Sequence, residues 1–367
     1  MTLPRRGYLG AELPPDDRAF LDGALAIAVV LPGGMAAAAD LMPGDRITSL
    51  AGIPLRDLCA LAEALRRAGA TPTTQLVTPR ATHEVPTIPA PCERDVTYGE
   101  LAVAGARLRT LTTGDTGRTG AHRARIVILA GIACESVETG PLADLAGALT
   151  AAGHATLRYD KRGVGDSEGG ACRDVDFATE IADARAVIAI APRDLPLVVF
   201  GHSVGGIIAT QLAAQCDAVV VYGTPATRWL DCLRASTRRQ LALRAAPPDV
   251  VAARVAALDE LLLRGELNGR SAAYHAQLDA LDLPAAWRAV ECPALVVRGE
   301  HDWVVDADEQ ARIATLTHAT IVDVPRVDHV LGAHASRDAS LADYGAGAPD
   351  DGIARAIAAW LESTLAR

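Results

Sequence analysis

The stretch Gly201-His202-Ser203-Val204-Gly205 constrains this chain more than any other, because an apolar run (195–200) precedes it and a helical stretch (207–214) follows. Strand, sharp turn and helix in that order put the middle residue of G-x-S-x-G on the apex of a nucleophile elbow. The turn forces that residue into strained backbone, and side chains at Gly201 and Gly205 would collide with the neighbouring strand or helix. Gly206 lets the helix begin close to the sheet, its free N–H groups aimed where negative charge develops in acyl transfer. Ser203 is therefore the candidate nucleophile.

A serine at neutral pH needs a base within hydrogen-bond reach, itself oriented by a third group. Beyond a Leu-, Arg- and Ala-rich helical segment, the apolar strand 294–297 runs into Arg298-Gly299-Glu300-His301-Asp302. One helix and one strand later comes Arg326-Val327-Asp328-His329. Asp302 and His329 thus fall in loops at the C-terminal ends of successive strands. Asp306, His301, Asp328 and His334 are rivals, read as loop or surface residues.

From residue 96 the pattern alternates. A hairpin over 96–110 turns near Val103-Ala104-Gly105; strands follow at 126–129, 155–159, 197–200, 219–222, 294–297 and 320–324, with helices near 142–151, 177–190, 206–214, 308–316 and 353–365. Such a rhythm predicts right-handed crossovers and a mostly parallel sheet flanked by helices. The helical segment at about 225–290, which includes an amphipathic stretch at 250–263, interrupts two late strands and is read as a lid. Residues 83–95 carry Pro86, Pro89 and Pro91 and read as an extended linker.

Residues 1–82 look self-contained. They hold the loop Gly7-Tyr8-Leu9-Gly10, an apolar strand at 25–31, a turn at Pro32-Gly33-Gly34, a short Ala-rich helix, Met42-Pro43-Gly44-Asp45-Arg46-Ile47, and an amphipathic helix at 55–67. This segment resembles a PDZ domain of the bacterial protease-associated kind, a small α+β fold. The resemblance implies a groove between residues 8–13 and the 55–67 helix, with Tyr8, Leu9 and Gly10 as its loop and the C-terminus of a peptide or protein as its partner.

From residue 130 to the end, and most closely at Arg158-Tyr159-Asp160-Lys161-Arg162-Gly163-Val164-Gly165-Asp166-Ser167, the chain resembles serine hydrolases of the α/β-hydrolase superfamily, serine aminopeptidase- or esterase-like. The order Ser, Asp, His is that superfamily's. The resemblance implies Ser203 as nucleophile, His329 as general base and acid, and Asp302 as orienting carboxylate. One oxyanion donor is expected from the N–H of Val204, the other from the loop after strand 126–129. There the chain reads Ala130-Gly131-Ile132-Ala133-Cys134 in place of the family's usual His-Gly, so Ile132 N–H serves, with Ala133 the alternative. Asp160 and Arg162 are expected to pair and hold their loop, and Cys134 and Cys172 to act as small fillers. Ala133, Cys134 and His202, with the lid aromatics Trp229, Tyr274 and Trp287, are candidates for contact with substrate.

Composition narrows the rest. Half of the 367 residues are hydrophobic but only 4% are aromatic, so the core is aliphatic. A net charge of −10 argues against a nucleic-acid partner. No apolar stretch reaches the length of a membrane span. The seven cysteines form no C-x-x-C pair and no metal-ligand spacing, and read as reduced thiols in a cytoplasmic protein. Neither metal nor organic cofactor is implied, and oligomeric state is left open. The expected function is cleavage of an apolar carboxylic ester or thioester through an acyl-enzyme. The alternatives are an acyltransferase or cyclase using the same intermediate, an aminopeptidase-like enzyme holding a substrate ammonium with Asp231, Asp259, Glu260 or Asp279, and an adaptor working through its PDZ-like domain.

Overall fold

The structure, a computed structural model, describes residues 2–14, 16–114 and 123–365. Its centre is an eight-stranded sheet, whose strands in chain order are β1 (Val96–Val103), β2 (Ala106–Thr113), β3 (Arg125–Leu129), β4 (Ala155–Tyr159), β5 (Leu197–His202), β6 (Ala218–Tyr222), β7 (Ala294–Gly299) and β8 (Thr320–Val324). The spatial order is β8-β7-β6-β5-β3-β4-β2-β1. β2 is antiparallel to both β1 and β4, and the remaining neighbours are parallel.

Both faces of this sheet are covered, which explains the apolar runs at 126–129 in β3, 197–200 in β5 and 218–222 in β6; β4 departs from them with Thr156 and Arg158. Ile126 and Ile128 pack with Leu145, Leu149, Ile357 and Trp360 of two helices, Pro141–Ala151 and Gly352–Leu365. Val127 and Leu129 point the other way, toward Val187, Ile188, Ile207 and Ile313. Each such side chain contributes about 1.5–3 kcal/mol by leaving water. Four helices, Trp229–Leu243, Pro248–Arg264, Ala272–Asp279 and Leu283–Arg288, fill the interval between β6 and β7, where the lid was expected.

The N-terminal domain has its own core of Leu25, Ile27, Met35, Ile47, Leu50, Leu55 and Leu76. Its long helix runs Leu58–Gly69 rather than 55–67, because the Asp57 side chain accepts from Ala60 N and sets the start. The expected linker 83–95 is also corrected. Thr82–Pro86 pairs with Thr73–Val77 as an outer strand, and Ala90 N still donates to Arg6 O of the same domain. Prolines are tolerated on an edge strand because no ladder donor is required there.

The two domains are pinned by charge pairs, one set on the buried carboxylates Asp166 and Glu138 and the other partly exposed. Arg5 donates to Asp166 and to Glu138, both at 2.5 Å, and Asp166 also takes Arg6 N at 2.8 Å and Arg109 Nε at 3.2 Å. At the opposite end Arg173 holds Asp57 with both guanidinium nitrogens, at 2.8 and 3.2 Å.

Two expectations fail here. Cys134 and Cys172 are joined in a disulfide rather than reduced, so the cytoplasmic expectation loses the support it drew from free thiols. Asp160 and Arg162 do not pair with each other. Asp160 accepts from Val137 N at 2.9 Å, and Arg162 reaches Asp183 on the Phe177–Ile190 helix at 2.7 Å through two nitrogens. The tight turn sends the two side chains to different elements, because Gly165 is packed against the Asp160 carboxylate. No helix among the described residues is long and apolar enough to cross a membrane.

Candidate active site

At the end of β5 the backbone of Ser203 takes φ 54° and ψ −119°, a conformation that side chains other than glycine adopt only under constraint. The constraint is visible. Ser203 N donates to Tyr222 O at 2.8 Å, and Ser203 O accepts from Gly206 N and from Thr224 Oγ1, each at 3.0 Å. A Cβ on Gly201 would stand 2.5 Å from Gly206 N, and one on Gly206 would stand 2.7 Å from Thr224 Cγ2. One on Gly205 would collide with Leu129 O and stand 2.8 Å from Ala130 O, both backbone atoms that have no room to move. Gly205→Ala is therefore expected to cost about 3 kcal/mol or more, read as a lowered urea midpoint.

The order of the late strands brings Asp302 and His329 to the same end of the sheet. His329 Nδ1 lies 3.1 Å from Asp302 Oδ2, while Asp302 Oδ1 accepts from Val304 N and Val305 N, both at 2.8 Å. Burial would raise the Asp302 pKa, but His329 and the two backbone N–H groups outweigh it and hold the carboxyl below its ordinary 3.8. Gly223, at φ 58°, leaves the space for this pair, since a Cβ there would be 2.8 Å from His329 Nδ1. Only about 8% of Ser203 and 7% of His329 is exposed, so the constellation lies under cover.

His202 braces the loop that carries the imidazole. Its Nε2 donates to His329 O at 2.8 Å, and the rings stand 5.2 Å apart. Burial first, and then His329, push the His202 pKa down from 6.5 to about 3. Its folded-state pKa lies below the unfolded one, so this stabilisation is complete above pH 6.5 and is lost as pH falls toward 3. His202→Gln keeps a donor but cannot titrate. Its melting temperature is expected to fall less than that of wild type between pH 6.5 and 4, by roughly a few degrees in calorimetry.

The two amides expected on the oxyanion side, those of Val204 and Ile132, donate to no acceptor among the described residues. Val204 opens the Val204–Thr210 helix, where first-turn N–H groups have no helical acceptor. Ile132 N donates to nothing among the described residues. Gly131 packs on the nucleophile, a Cβ there falling 3.3 Å from Ser203 Cβ. The Lys161 ammonium, missed in the sequence reading, donates to Gly131 O, and a trans peptide then turns Ile132 N–H the opposite way. Burial pushes the Lys161 pKa down to about 8 against the pull of Glu180. The only sequence signal for this role was its place in the Asp160-Lys161-Arg162 turn.

The remaining candidates are placed as follows. Ala133 is exposed beside Ile132, whereas Cys134 is committed to its disulfide. Trp229, Tyr274 and Trp287 are buried in the core rather than lining an open acyl pocket. Their polar atoms are already engaged, with His275, Glu180 and Pro225 O, which is the physical reason they are unavailable. Among the rivals, Asp306 caps the Ala307–Thr317 helix, and Asp328 accepts from Val330 N and Gly332 N at 3.0 Å to hold the His329 loop. His334 Nε2 stands 3.0 Å from Asp328 Oδ2, at ion-pair distance without hydrogen-bond alignment. His301 sits 3.9 Å from Glu300.

In the N-terminal domain, the carbonyls of Tyr8, Leu9 and Gly10 accept from Met35 N, Ala36 N and Leu31 N at 2.8–3.0 Å. The Leu9 side chain is buried in the domain core, so this residue offers a groove its backbone alone.

Residues 120–331 match the family described as serine aminopeptidase, S33, and residues 27–77 match the PDZ domain. No curated protein matches the chain. Among solved structures, Est1E from Butyrivibrio proteoclasticus with ferulic acid bound is 16% identical, with 73% of this chain and 100% of that one covered at a TM-score of 0.52. The α/β hydrolase GrgF from Penicillium sp. sh18 is also 16% identical, with 74% and 99% covered at 0.50. At such identities the likeness is one of fold. With its S33 match spanning more than half its length, this chain belongs to the serine aminopeptidase S33 family of α/β-hydrolases and carries a PDZ domain ahead of the hydrolase fold.

Proposed function

We propose that the chain is a serine hydrolase that cleaves a carboxylic ester or thioester through an acyl-enzyme. The observation that carries this reading is the convergence of the strained Ser203 elbow, the 3.1 Å His329–Asp302 pair and two amides with no acceptor among the described residues, at one end of the sheet. His329 takes the Ser203 proton as Oγ attacks the acyl carbon, and Asp302 steadies the imidazolium. Ile132 and Val204 N–H groups hold the oxyanion. His329 then returns the proton to the leaving group, and water repeats the sequence to free the acid.

A fluorophosphonate probe tests the site. Labelling of wild type that is lost in Ser203→Ala, with turnover of p-nitrophenyl esters of graded chain length, supports the reading. Folded wild type that neither labels nor turns over ester sinks it.

The near-complete burial of Ser203 and His329 favours a second reading, acyl transfer to an alcohol or amine, because a covered acyl-enzyme keeps water out. Product analysis with and without an added amine acceptor separates the two. Nothing comparable favours the peptidase reading. Asp231 and Asp259 are tied to Arg234, Glu260 to Arg264 and Asp279 to Arg228, all within the lid. A peptide C-terminus at the Tyr8–Gly10 loop remains the proposed partner of the PDZ domain. An adaptor role for that domain predicts that Ser203→Ala preserves cellular function.

A further inference from the structure

Three cysteines that are far apart in sequence meet where the N-terminal domain touches the hydrolase. Cys59 lies on the Leu58–Gly69 helix, Cys134 follows the Gly131–Ile132 loop, and Cys172 opens a short helical turn after the Gly163–Gly165 loop. Their sulfur atoms all lie within 4.8 Å of one another, and all three residues are buried with Val164. Two of them share a disulfide, and the third is a free thiol whose Sγ donates to Gly269 O at 3.3 Å. The buried Arg270 reaches in from the lid, its Nη1 at 2.7 Å from Cys172 Sγ and 3.4 Å from Cys134 Sγ.

We propose that these residues form a thiol–disulfide exchange site, in which Cys59 displaces Cys172 from Cys134 and transfers the covalent bond from within the hydrolase to the junction between the domains. Cys59 loses its proton to solvent, and its thiolate attacks Cys134 Sγ. The Cys59–Cys134 bond forms as the Cys134–Cys172 bond breaks, and Cys172 leaves as a thiolate that regains a proton. One thiol and one disulfide are present before and after, so no oxidant or reductant is consumed. The direction follows from Arg270. A guanidinium closer to Cys172 than to Cys134 stabilises the departing thiolate there, and the better-stabilised thiolate leaves faster. The product ties the PDZ domain to the loop that bears Ile132.

Burial pushes the Cys59 thiol up to about 11, with Asp57 adding to it and Arg173, Arg270 and Lys161 opposing. Exchange is therefore slow near neutrality, and its rate should rise roughly tenfold per pH unit with the thiolate fraction.

The full-length protein, held between pH 7 and 10 without added redox reagents, is quenched in acid and its free thiols are alkylated. Disulfide-linked peptides are then mapped by mass spectrometry under non-reducing conditions. The expected result is a Cys59–Cys134 peptide that accumulates faster as pH rises, exceeds Cys59–Cys172, and is absent in Cys59→Ser. Cys172→Ser, oxidised with glutathione disulfide, should close the Cys59–Cys134 bond. The proposal is overturned if Cys134–Cys172 remains the sole bond at every pH, or if the interdomain bond forms only after unfolding in urea. It is equally overturned if the isolated protein holds all three thiols reduced around zinc, or if Cys172→Ser keeps both thiols free. None of these readouts depends on turnover.

Discussion

Ser203→Ala is expected to lower kcat for ester substrates on the order of 10⁶-fold while leaving the fold intact. The loss is that large because, in the proposed mechanism, the Ser203 hydroxyl is the one oxygen that His329 activates, and removing it would leave only the proposed oxyanion amides and substrate binding. The fold survives because the turn is held by backbone groups that the substitution keeps. Ser203 N still reaches Tyr222 O, and Ser203 O still accepts from Thr224 Oγ1. Ser203→Gly sharpens the test. It should be equally inactive yet more stable by about 1 kcal/mol, since glycine relaxes the strain of φ 54°. Urea titration of the three proteins alongside single-turnover kinetics reads both effects. Residual turnover within 100-fold of wild type in the alanine variant would mean that another group is the nucleophile.

Asp302→Asn is expected to lower kcat by about 10⁴-fold, through the wrong imidazole tautomer. Val304 N and Val305 N both donate to Asp302 Oδ1, so the amide oxygen of an asparagine must face them. Its NH₂ group is then left facing His329 Nδ1, which must accept rather than donate. The ring proton moves to Nε2, and His329 cannot take a proton from serine. Combining this change with Ser203→Ala should add almost nothing to the loss, because the residues act as a unit. Stability offers an independent readout. The Asp302 carboxyl is held below its ordinary value, so its contribution is present above about pH 4 and vanishes as pH falls through the lower folded-state value. The asparagine variant should therefore lose less stability than wild type on acidification below pH 4.

Much of the site was legible in the sequence because it rests on local backbone chemistry. Only glycine fits at 201, 205 and 206, and a strand must precede and a helix follow, so the elbow announces itself within ten residues. Asp302 and His329 were legible for a related reason: in a parallel sheet, loops after successive strands meet at one edge, and chain order alone sorts them. What stayed hidden depends on which distant atoms come within bonding distance. Lys161 looked like one member of a charged turn until its ammonium was found on Gly131 O. Arg162 pairs with Asp183 rather than Asp160 because the turn separates the two side chains. Trp229, Tyr274 and Trp287 stayed open between pocket lining and helix packing because composition cannot say which face of a helix is buried; all three lie in the core.

The cysteines mark the boundary most clearly. A disulfide needs two Cα atoms about 5–6 Å apart, and nothing in a separation of 38 residues supplies that distance. The sequence by itself determined the elbow and the parallel sheet, because these follow from short-range sterics and hydrophobic period, while resemblance to known families supplied the order of Ser203, Asp302 and His329 and the nature of the N-terminal segment. Only the tertiary structure decided which sulfurs meet, which cation holds the Gly131 carbonyl and how little of Ser203 is exposed, because those depend on packing between elements that the chain separates by tens of residues.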